Sequence, residues 1–188
     1  MKLITTCMTL LLAVFLTGCE TLTPAECATA NWRQLGQMDG SRGEPDRAAQ
    51  FFESCSKVKI GVDVDSYRRG RAEGLQSYCS LGNALAEGQA GRPYAGVCPM
   101  PMNQSFKNVH GVALREFSAR KNMERLEDVQ QQLQNELGDR KTADDRKVRI
   151  RELLTRSDRD MRNAREELRF SQFELDRMAN DLRLRRLY

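Results

Sequence analysis

The sequence predicts a mainly α-helical protein, in which a small, disulfide-stapled helical domain is followed by a long helical hairpin or coiled coil. Two contrasts between the halves of the chain lead to this prediction. Beyond residue 19, all four cysteines and all but one of the glycines lie before residue 112. After Val112 only Gly138 remains, proline is absent and charged residues become dense. Because glycine and proline are the poorest helix formers, the second half favours long, uninterrupted helices.

Length and composition limit the size of the core and the class of partner. The chain has 188 residues, of which 40% are hydrophobic, 30% charged and 6% aromatic. These proportions favour one ordinary domain, or a small domain with an extension, over one large core. A net charge of +4 is too mild for a dedicated nucleic-acid binder, so no nucleic-acid partner is expected.

Residues 1–18 have the features of a lipoprotein signal peptide. Lys2 is followed by an uncharged, mostly apolar run from Leu3 to Leu16. This run has the length of a signal-peptide core and is too short for a spanning helix of about 20 residues. It ends in Leu16-Thr17-Gly18-Cys19, which closely resembles a bacterial lipobox. The resemblance implies a mature chain that begins at Cys19 with acyl chains, palmitate among them. The alternative is an ordinary secretory signal followed by a chance cysteine.

The residue after the lipobox bears on the membrane that holds the protein. Several acyl chains anchor a protein stably, whereas one chain binds reversibly. Glu20 is not an aspartate, and by resemblance to the enterobacterial sorting rule this favours the outer membrane. We therefore expect an outer-membrane lipoprotein on the periplasmic face, with the inner membrane and surface exposure left open.

Residues 19–111 are predicted to form the disulfide-stapled domain. An even number of cysteines in an oxidising compartment favours two disulfides, and three pairings are possible for Cys27, Cys55, Cys79 and Cys98. If the first two helices form an antiparallel hairpin, Cys27 at its start meets Cys55 at its end. A 79–98 bridge would then close a glycine-rich segment. Each bridge would stabilise the fold by about 3–4 kcal/mol.

Three short helices are predicted in this domain. Thr23-Pro24-Ala25-Glu26 resembles a capping box and starts a helix that continues to about Gly40. A second helix runs from near Pro45 to Cys55, and a third runs from the cap Asp65-Ser66 to about Cys79. Residues 80–99 are expected to be irregular, with a boundary loop near residues 99–111. The inward side chains expected on the first two helices are Ala28, Trp32, Leu35 and Met38, then Ala48, Phe51 and Phe52.

Two glycine pairs interrupt helices of this domain. Gly36 and Gly40 are four residues apart, as are Gly70 and Gly74. Each helical glycine costs about 1 kcal/mol relative to alanine, so same-face spacing indicates close approach of a neighbouring backbone. Tight packing of small helices is the favoured interpretation, and a groove for a ligand or partner is the alternative.

Residues 112–188 are predicted to form the helical hairpin or coiled coil. The first helix carries a stripe of Leu126, Val129, Leu133 and Leu137, and Gly138-Asp139 ends it. Thr142 starts a capping box that begins the last helix, which has a seven-residue repeat. At 1.5 Å per residue the last helix would reach about 65 Å and the preceding one about 35 Å, leaving an overhang. The first repeat position holds Leu154, Met161, Leu168, Leu175 and Leu182, the fourth holds Ile150, Ser157, Ala164, Ser171 and Met178, and the seventh holds the acidic Asp160, Glu167, Glu174 and Asp181.

The spacing of cysteine, glycine and tyrosine in the first half resembles a known family. The matching stretches are Cys27-x4-Trp32-x3-Gly36-x2-Asp39-Gly40, Cys55, Tyr67-x2-Gly70-Arg71-x2-Gly74-Leu75-x2-Tyr78-Cys79, and Gly88-x2-Gly91-x2-Tyr94-x-Gly96-Val97-Cys98-Pro99. They resemble a family of bacterial envelope lipoproteins known only as a domain of unknown function, DUF2799, over about residues 19–110. The resemblance supports the lipoprotein interpretation and implies no activity.

Catalytic and metal-binding patterns are weak, so neither an enzyme nor a cofactor is expected. The absence of a CxxC pair argues against zinc or thioredoxin-type sites. His110 is the single histidine and is expected in a loop, exposed or packed there. Asp39 and Glu73 could be a carboxylate pair for glycan hydrolysis, although a turn and a salt bridge are the favoured roles. A cell-wall enzyme is kept as a third functional class.

Two interaction functions fit the sequence. The first is an envelope adaptor or scaffold that binds a protein partner, or a second copy, through residues 113–188. The alternative is a module that binds peptidoglycan or anionic lipid through the 67–78 helix and nearby glycine loops. Guanidinium groups bind phosphate and carboxylate well, and a solvated basic face is the simpler interpretation. The candidate residues are Tyr67, Arg68, Arg69, Arg71 and Tyr78.

Overall fold

The computed structural model of the protein describes residues 22–185, which are helical and contain no strand. The predicted mainly α-helical fold class, with disulfides in the first half and a long last helix, is confirmed. The predicted signal peptide and the lipid-bearing Cys19 lie outside the described residues. The helices are α1 (Pro24–Thr29), α2 (Trp32–Arg42), α3 (Ala48–Ser56), α4 (Val64–Tyr78), α5 (Leu81–Gln89), α6 (Met102–Gly138) and α7 (Asp144–Arg185).

The described chain divides into two compact units, each with one disulfide. The first unit contains residues 22–40 and 44–74, and the second contains residues 41–43 and 75–185. Cys27 pairs with Cys55 in the first unit, with 5.7 Å between the Cα atoms. Cys79 pairs with Cys98 in the second, with 5.6 Å between the Cα atoms. This is the pairing that the sequence favours.

The chain between residues 23 and 42 forms two helices where one was predicted. The capping box is present as expected, with Thr23 and Glu26 exchanging side-chain and backbone hydrogen bonds. The helix ends at Thr29 because Asn31 starts a new one, its Oδ1 accepting from the Gln34 amide at 3.1 Å. Asparagine is a strong N-cap residue, so a local cap overrides the continuous apolar pattern.

Glycines set the spacing between α2 and α4 in the first unit. A Cβ atom on Gly36 would lie 1.9 Å from the Tyr67 carbonyl oxygen. A Cβ atom on Gly70 would lie 1.9 Å from the Arg33 carbonyl oxygen. Each helix therefore presents a glycine to the backbone of the other, and tight helix packing is the correct interpretation of these two positions.

The core of the first unit differs in detail from the predicted apolar stripe. Phe51 and Tyr67 are fully buried and meet edge to face, with Trp32 packed at their margin. Phe52 is 59% exposed, so its predicted inward position is wrong. Met38 also faces solvent, because the buried side of α2 consists of its glycines and Asp39. Ala28 of α1 is exposed too, so its predicted inward position is wrong.

Side-chain caps also move the starts of later helices. Helix α4 starts at Val64 because Asp63 accepts from the Ser66 amide at 2.9 Å, two residues before the predicted cap. Residues 81–89 form helix α5, not an irregular segment, because Ser80 caps it by accepting from the Asn83 amide. The buried Ala84 and Gly88 turn one face of this helix toward α6.

Helix α6 begins at Met102, so the predicted loop over residues 99–111 is wrong. The helix continues through His110 and Gly111 because Phe106, Val109 and Ala113 share a buried face. The core around Phe106 and Val109 includes the Cys79–Cys98 disulfide and the ring of Tyr78. A buried apolar face outweighs the helix-breaking tendency of one glycine.

Helices α6 and α7 form an antiparallel hairpin in the second unit. Arg146 pairs with Glu136 near the turn at 2.7 Å, and Arg115 pairs with Glu174 farther along at 3.0 Å. The predicted repeat of α7 is its inner face. Every first and fourth position of that repeat, from Ile150 to Leu182, is buried or half-buried.

The matching face of α6 is shifted from the predicted stripe. Val129 is exposed, and the seam position beside Leu126 and Leu133 is occupied by Gln130. Gln130 Nε2 donates to Asp158 Oδ1 of α7 at 2.7 Å. Spacings of four and three residues keep a stripe on one side of a helix, and Gln130 completes that spacing.

The predicted overhang of the last helix is absent. Helix α6 has 37 residues and α7 has 42, so at 1.5 Å per residue they reach about 55 and 63 Å. The C-terminal part of α7 packs on the early turns of α6 and on α5, through Leu175, Met178 and Leu182. Because α6 starts at Met102, its first turns are available to cover the C-terminal part of α7.

We expect Gly36→Ala and Gly70→Ala each to lower the free energy of unfolding by about 2–3 kcal/mol, because the new methyl group overlaps a backbone carbonyl. Gly61→Ala is the matched control in the same unit, since a Cβ atom there meets nothing within 4 Å. Urea unfolding followed by circular dichroism measures all three. Equal stability of the three variants would contradict the proposed role of the glycines.

Candidate functional site

The five residues predicted as an anion-binding group do not form one surface. The Tyr67 ring is buried in the first unit, and its hydroxyl donates to Asp39 Oδ2 at 2.7 Å. The Tyr78 ring is buried in the second unit and stacks on Phe106, with 5.3 Å between the ring centroids. Both rings are therefore core residues and not available to a ligand in solution.

The three arginines of the predicted group have different roles in the first unit. Arg71 is half-buried, and its Nη2 donates to the Glu44 carbonyl oxygen at 2.6 Å. Arg68 is exposed and pairs with Asp46 at 3.2 Å, while Arg69 is exposed and donates to Ser66 Oγ. The prediction of an anion site on this helix therefore depends on the exposed Arg68 and Arg69.

A buried carboxylate organises the first unit. Asp39 is 1% exposed, and both of its oxygens accept hydrogen bonds from the Arg47 guanidinium. The backbone amide of Arg47 donates in turn to the Tyr67 hydroxyl at 3.1 Å. A buried carboxylate is tolerated when it is paired and hydrogen-bonded, as it is here. The three residues join α2, the start of α3 and α4.

Burial changes the acidity of the phenol in this network. Desolvation raises the pKa of Tyr67 to about 12, and the hydrogen bond to Asp39 acts in the same direction. The hydrogen bond from the Arg47 amide opposes the change. Tyr67 is therefore a neutral donor to Asp39 throughout the physiological range, which makes it a positioning residue of the fold.

Asp39 and Glu73 each bind a different arginine. Arg33 donates two hydrogen bonds to the Glu73 carboxylate, the shorter at 2.5 Å. Glu73 thus has the predicted salt-bridge role. Asp39 lies in α2, so its predicted turn position is wrong, and Arg47 compensates its buried charge.

His110 is in a helix, and its predicted loop position is wrong. Its side chain is 5% exposed, and Nε2 lies 2.8 Å from the Arg92 carbonyl oxygen. A carbonyl only accepts, so Nε2 carries a proton and donates to it. The ring packs beside Phe106 and Tyr94. These contacts make His110 a satisfied residue of the core.

The most distinctive exposed feature of the hairpin is a pair of phenylalanines on the outer side of α7. Phe170 is 64% exposed and Phe173 is 66% exposed. They are three residues apart, so they share a face of the helix. This face points away from the inner repeat, whose neighbouring members Ser171 and Leu175 are buried.

Grooves flank the two rings. One of about 490 Å³ is lined by Phe170, Phe173, Arg177 and Met178 of α7 together with Val112 of α6. A second groove of about 390 Å³ is lined by Phe170 of α7 together with Gly111 and Leu114 of α6. The small residue Gly111 leaves this space open, since a Cβ atom there would meet only the end of a flexible arginine at 3.9 Å.

Sequence reasoning did not identify this aromatic face. The inner repeat of α7 was found from its apolar residues, and Phe170 and Phe173 fall outside that repeat. A second count of three- and four-residue spacings on the same helix would have found them. Large exposed aromatic residues on a charged helix are a common mark of interaction surfaces.

Two further features concern metal binding and membrane spanning in the described part of the chain. Residues 22–185 contain no group of three or more histidine, cysteine, aspartate or glutamate side chains placed to hold a metal ion. None of the helices in this range combines the length and apolar character needed to span a membrane.

Comparison with protein families identifies the domain in the first half. Residues 31–114 match the model of the family described as protein of unknown function (DUF2799). This segment is a DUF2799 domain. The predicted resemblance is thereby confirmed over α2 to the early turns of α6. No curated protein and no solved structure matches the chain.

We expect Tyr67→Phe to lower the free energy of unfolding by about 1–3 kcal/mol at neutral pH. The Asp39 carboxylate loses a donor and the Arg47 amide loses its acceptor, while both stay shielded from water. Urea unfolding measures the change. An unchanged midpoint would contradict the role of the phenol.

The same variant tests the pKa of the phenol. The pKa of Tyr67 is above the ordinary value of 10.0, so its stabilising effect is complete below about pH 10. That effect is lost as pH rises through about 12. We expect the wild type to lose more stability than Tyr67→Phe over this interval, and absorbance titration of the phenolates should show one late ionisation fewer in the variant.

Proposed function

We propose that the protein is an outer-membrane lipoprotein that acts as an envelope adaptor or scaffold through the α6–α7 hairpin. The lipobox-like Leu16-Thr17-Gly18-Cys19 supports the lipid anchor. The exposed aromatic face of α7 supports a protein-binding role for the hairpin. The hairpin seam is proposed to be a short antiparallel coiled coil, which supplies a stiff support for that face.

The single observation that carries this proposal is the exposure of Phe170 and Phe173. Burial of a phenylalanine side chain is worth about 1.5–3 kcal/mol, and aromatic side chains are enriched at interfaces. Neither ring contributes to the inner seam, so folding of the hairpin does not explain them. A protein partner that covers the two rings would explain why they are exposed in the single chain.

A lipid-anchored position makes such a surface useful. An anchor at residue 19 would hold the chain at a membrane, and the interaction surface lies about 150 residues later in the sequence. An adaptor needs these two separate features, an attachment and a binding face. The DUF2799 domain lies between them in the chain.

The lipid anchor is tested by Cys19→Ser. We expect the wild type, expressed in a bacterial host, to incorporate labelled palmitate and to sediment with membranes. The variant should lose the label because the thiol that accepts the lipid is absent. Cys7→Ser is the matched control, since Cys7 lies within the predicted signal peptide and should leave labelling unchanged. Label retained by the Cys19 variant would contradict the anchor.

The binding face is tested by the double variant Phe170→Ser/Phe173→Ser. A photoreactive residue in place of Asn163, which is exposed on the same side of α7, reports the occupant in intact cells. We expect the yield of cross-linked adduct to fall about tenfold, because interface aromatics account for much of the binding energy.

Phe52→Ser is the matched control for this variant. Phe52 is 59% exposed on α3, so its loss removes a similar aromatic surface elsewhere. Adduct formation should be unaffected by this change. Equal loss with both variants, or no loss with the α7 double variant, would contradict the proposed binding face.

A further inference from the structure

The outer side of α7 carries a second regular stripe beside the inner repeat. Its members are separated by three and four residues in alternation, the spacing that keeps side chains on one helix face. All six are exposed. They are Asn163, Glu166, Phe170, Phe173, Arg177 and Asn180.

The order of residue types along this stripe is nearly symmetric about its centre. About a midpoint between residues 171 and 172, Phe170 mirrors Phe173 and Asn163 mirrors Asn180. Glu166 mirrors Arg177, which replaces identity by opposite charge. Within residues 22–185, neither of these two charged side chains has an ion-pair partner.

A surface with this pattern is complementary to itself in the antiparallel orientation. A two-fold axis through the midpoint places each residue opposite its mirror residue in the second copy. Phe170 of each copy then faces Phe173 of the other, and Glu166 of each copy faces Arg177 of the other. A parallel arrangement would instead place Glu166 against Glu166 and Arg177 against Arg177.

We propose that the occupant of this face is a second copy of the chain, packed antiparallel along α7. The proposal rests on the proposed function, because it names the partner of the same binding face. The rings of one copy would enter the grooves that flank the rings of the other. The two mirrored ion pairs would fix the orientation, since electrostatic complementarity sets register and excludes alternatives.

On one flank of the stripe the charged residues of the two copies would attract each other. On the other flank the repulsion between them would be reduced. Arg169 of one copy would lie near Asp176 of the second, which adds an attractive pair. On the opposite flank Glu174 is already paired with Arg115 of its own chain at 3.0 Å. That internal pair reduces the repulsion between acidic residues of the two copies.

The size of the contact indicates a reversible pair. Four partly exposed phenylalanine rings supply on the order of 500 Å² of apolar surface, about a third of a standard interface of about 1,600 Å². Polar side chains of the stripe supply the rest. Copies that are lipid-anchored to one membrane meet at high effective concentration, so a modest affinity suffices.

Charge reversal tests the proposal on the full chain in a non-ionic detergent. We expect sedimentation to show a dimer for the wild type, and the dissociation constant to rise about tenfold for Glu166→Arg or Arg177→Glu. The double reversal should restore the wild-type value, because it exchanges the partners without removing them. Glu152→Arg is the matched control, since Glu152 is exposed on the same helix but lies about 30 Å along it from the midpoint of the stripe.

Cysteine pairing tests the orientation. In the antiparallel pair, a mixture of Glu166→Cys and Arg177→Cys chains should oxidise mainly to the mixed dimer. Residues 166 and 177 are separated by about 16 Å along the helix, well beyond disulfide reach, so a parallel pair would cross-link each variant only with itself. Predominant self-cross-linking, or a double reversal that stays monomeric, overturns the proposal.

A different result separates this proposal from the proposed function. If the wild type is monomeric at all concentrations but a phenylalanine-dependent adduct with another protein persists in cells, the second copy is excluded and the adaptor role stands. If neither a dimer nor an adduct forms, both proposals fail.

Discussion

The packing of α7 on α6 through a seven-residue repeat is the constraint on which the second unit depends. A repeat of this kind assigns every residue of a long helix to the seam, its flanks or the outer side. The seam takes small residues such as Ser157 and Ala164, which let the helices approach. The flank takes the ion pair of Arg115 with Glu174. Whatever apolar residue falls on the outer side is left to solvent or to a partner.

A different constraint governs the first unit, where glycine replaces apolar side chains at the helix contact. Gly36 and Gly70 bring α2 and α4 close enough for the Tyr67 hydroxyl to reach Asp39. Removing water from Asp39 is costly, and the bidentate contact of Arg47 compensates for that cost. Close backbone approach and the buried polar network are therefore two parts of one arrangement, with the Cys27–Cys55 disulfide as its covalent support.

The sequence was sufficient for features that depend on periodicity or on local caps. The inner face of α7 and the capping box at Thr23 followed from spacing, and the observed disulfides are the favoured of three possible pairings. Features that depend on a residue distant in the sequence could not be predicted in this way. The local sequence predicts a loop at His110 because Gly111 follows it, yet a core that includes Phe106 holds both residues in a helix. The local sequence favours a turn at Asp39, since nothing in the pattern around it indicates Arg47 as its buried partner.

The two stripes of α7 show how opposite faces of one charged helix can suit different contacts. The inner stripe alternates large and small residues and pairs with α6 of the same chain, so its partner is fixed by the hairpin turn. The outer stripe centres on two aromatic rings bounded by Glu166 and Arg177, so the partner that we propose would have to offer the opposite charge order. Charges at the ends of an apolar contact contribute little affinity but strongly disfavour the wrong orientation. In the proposed dimer the outer stripe therefore both binds and selects an orientation, and an antiparallel copy of the stripe meets both requirements.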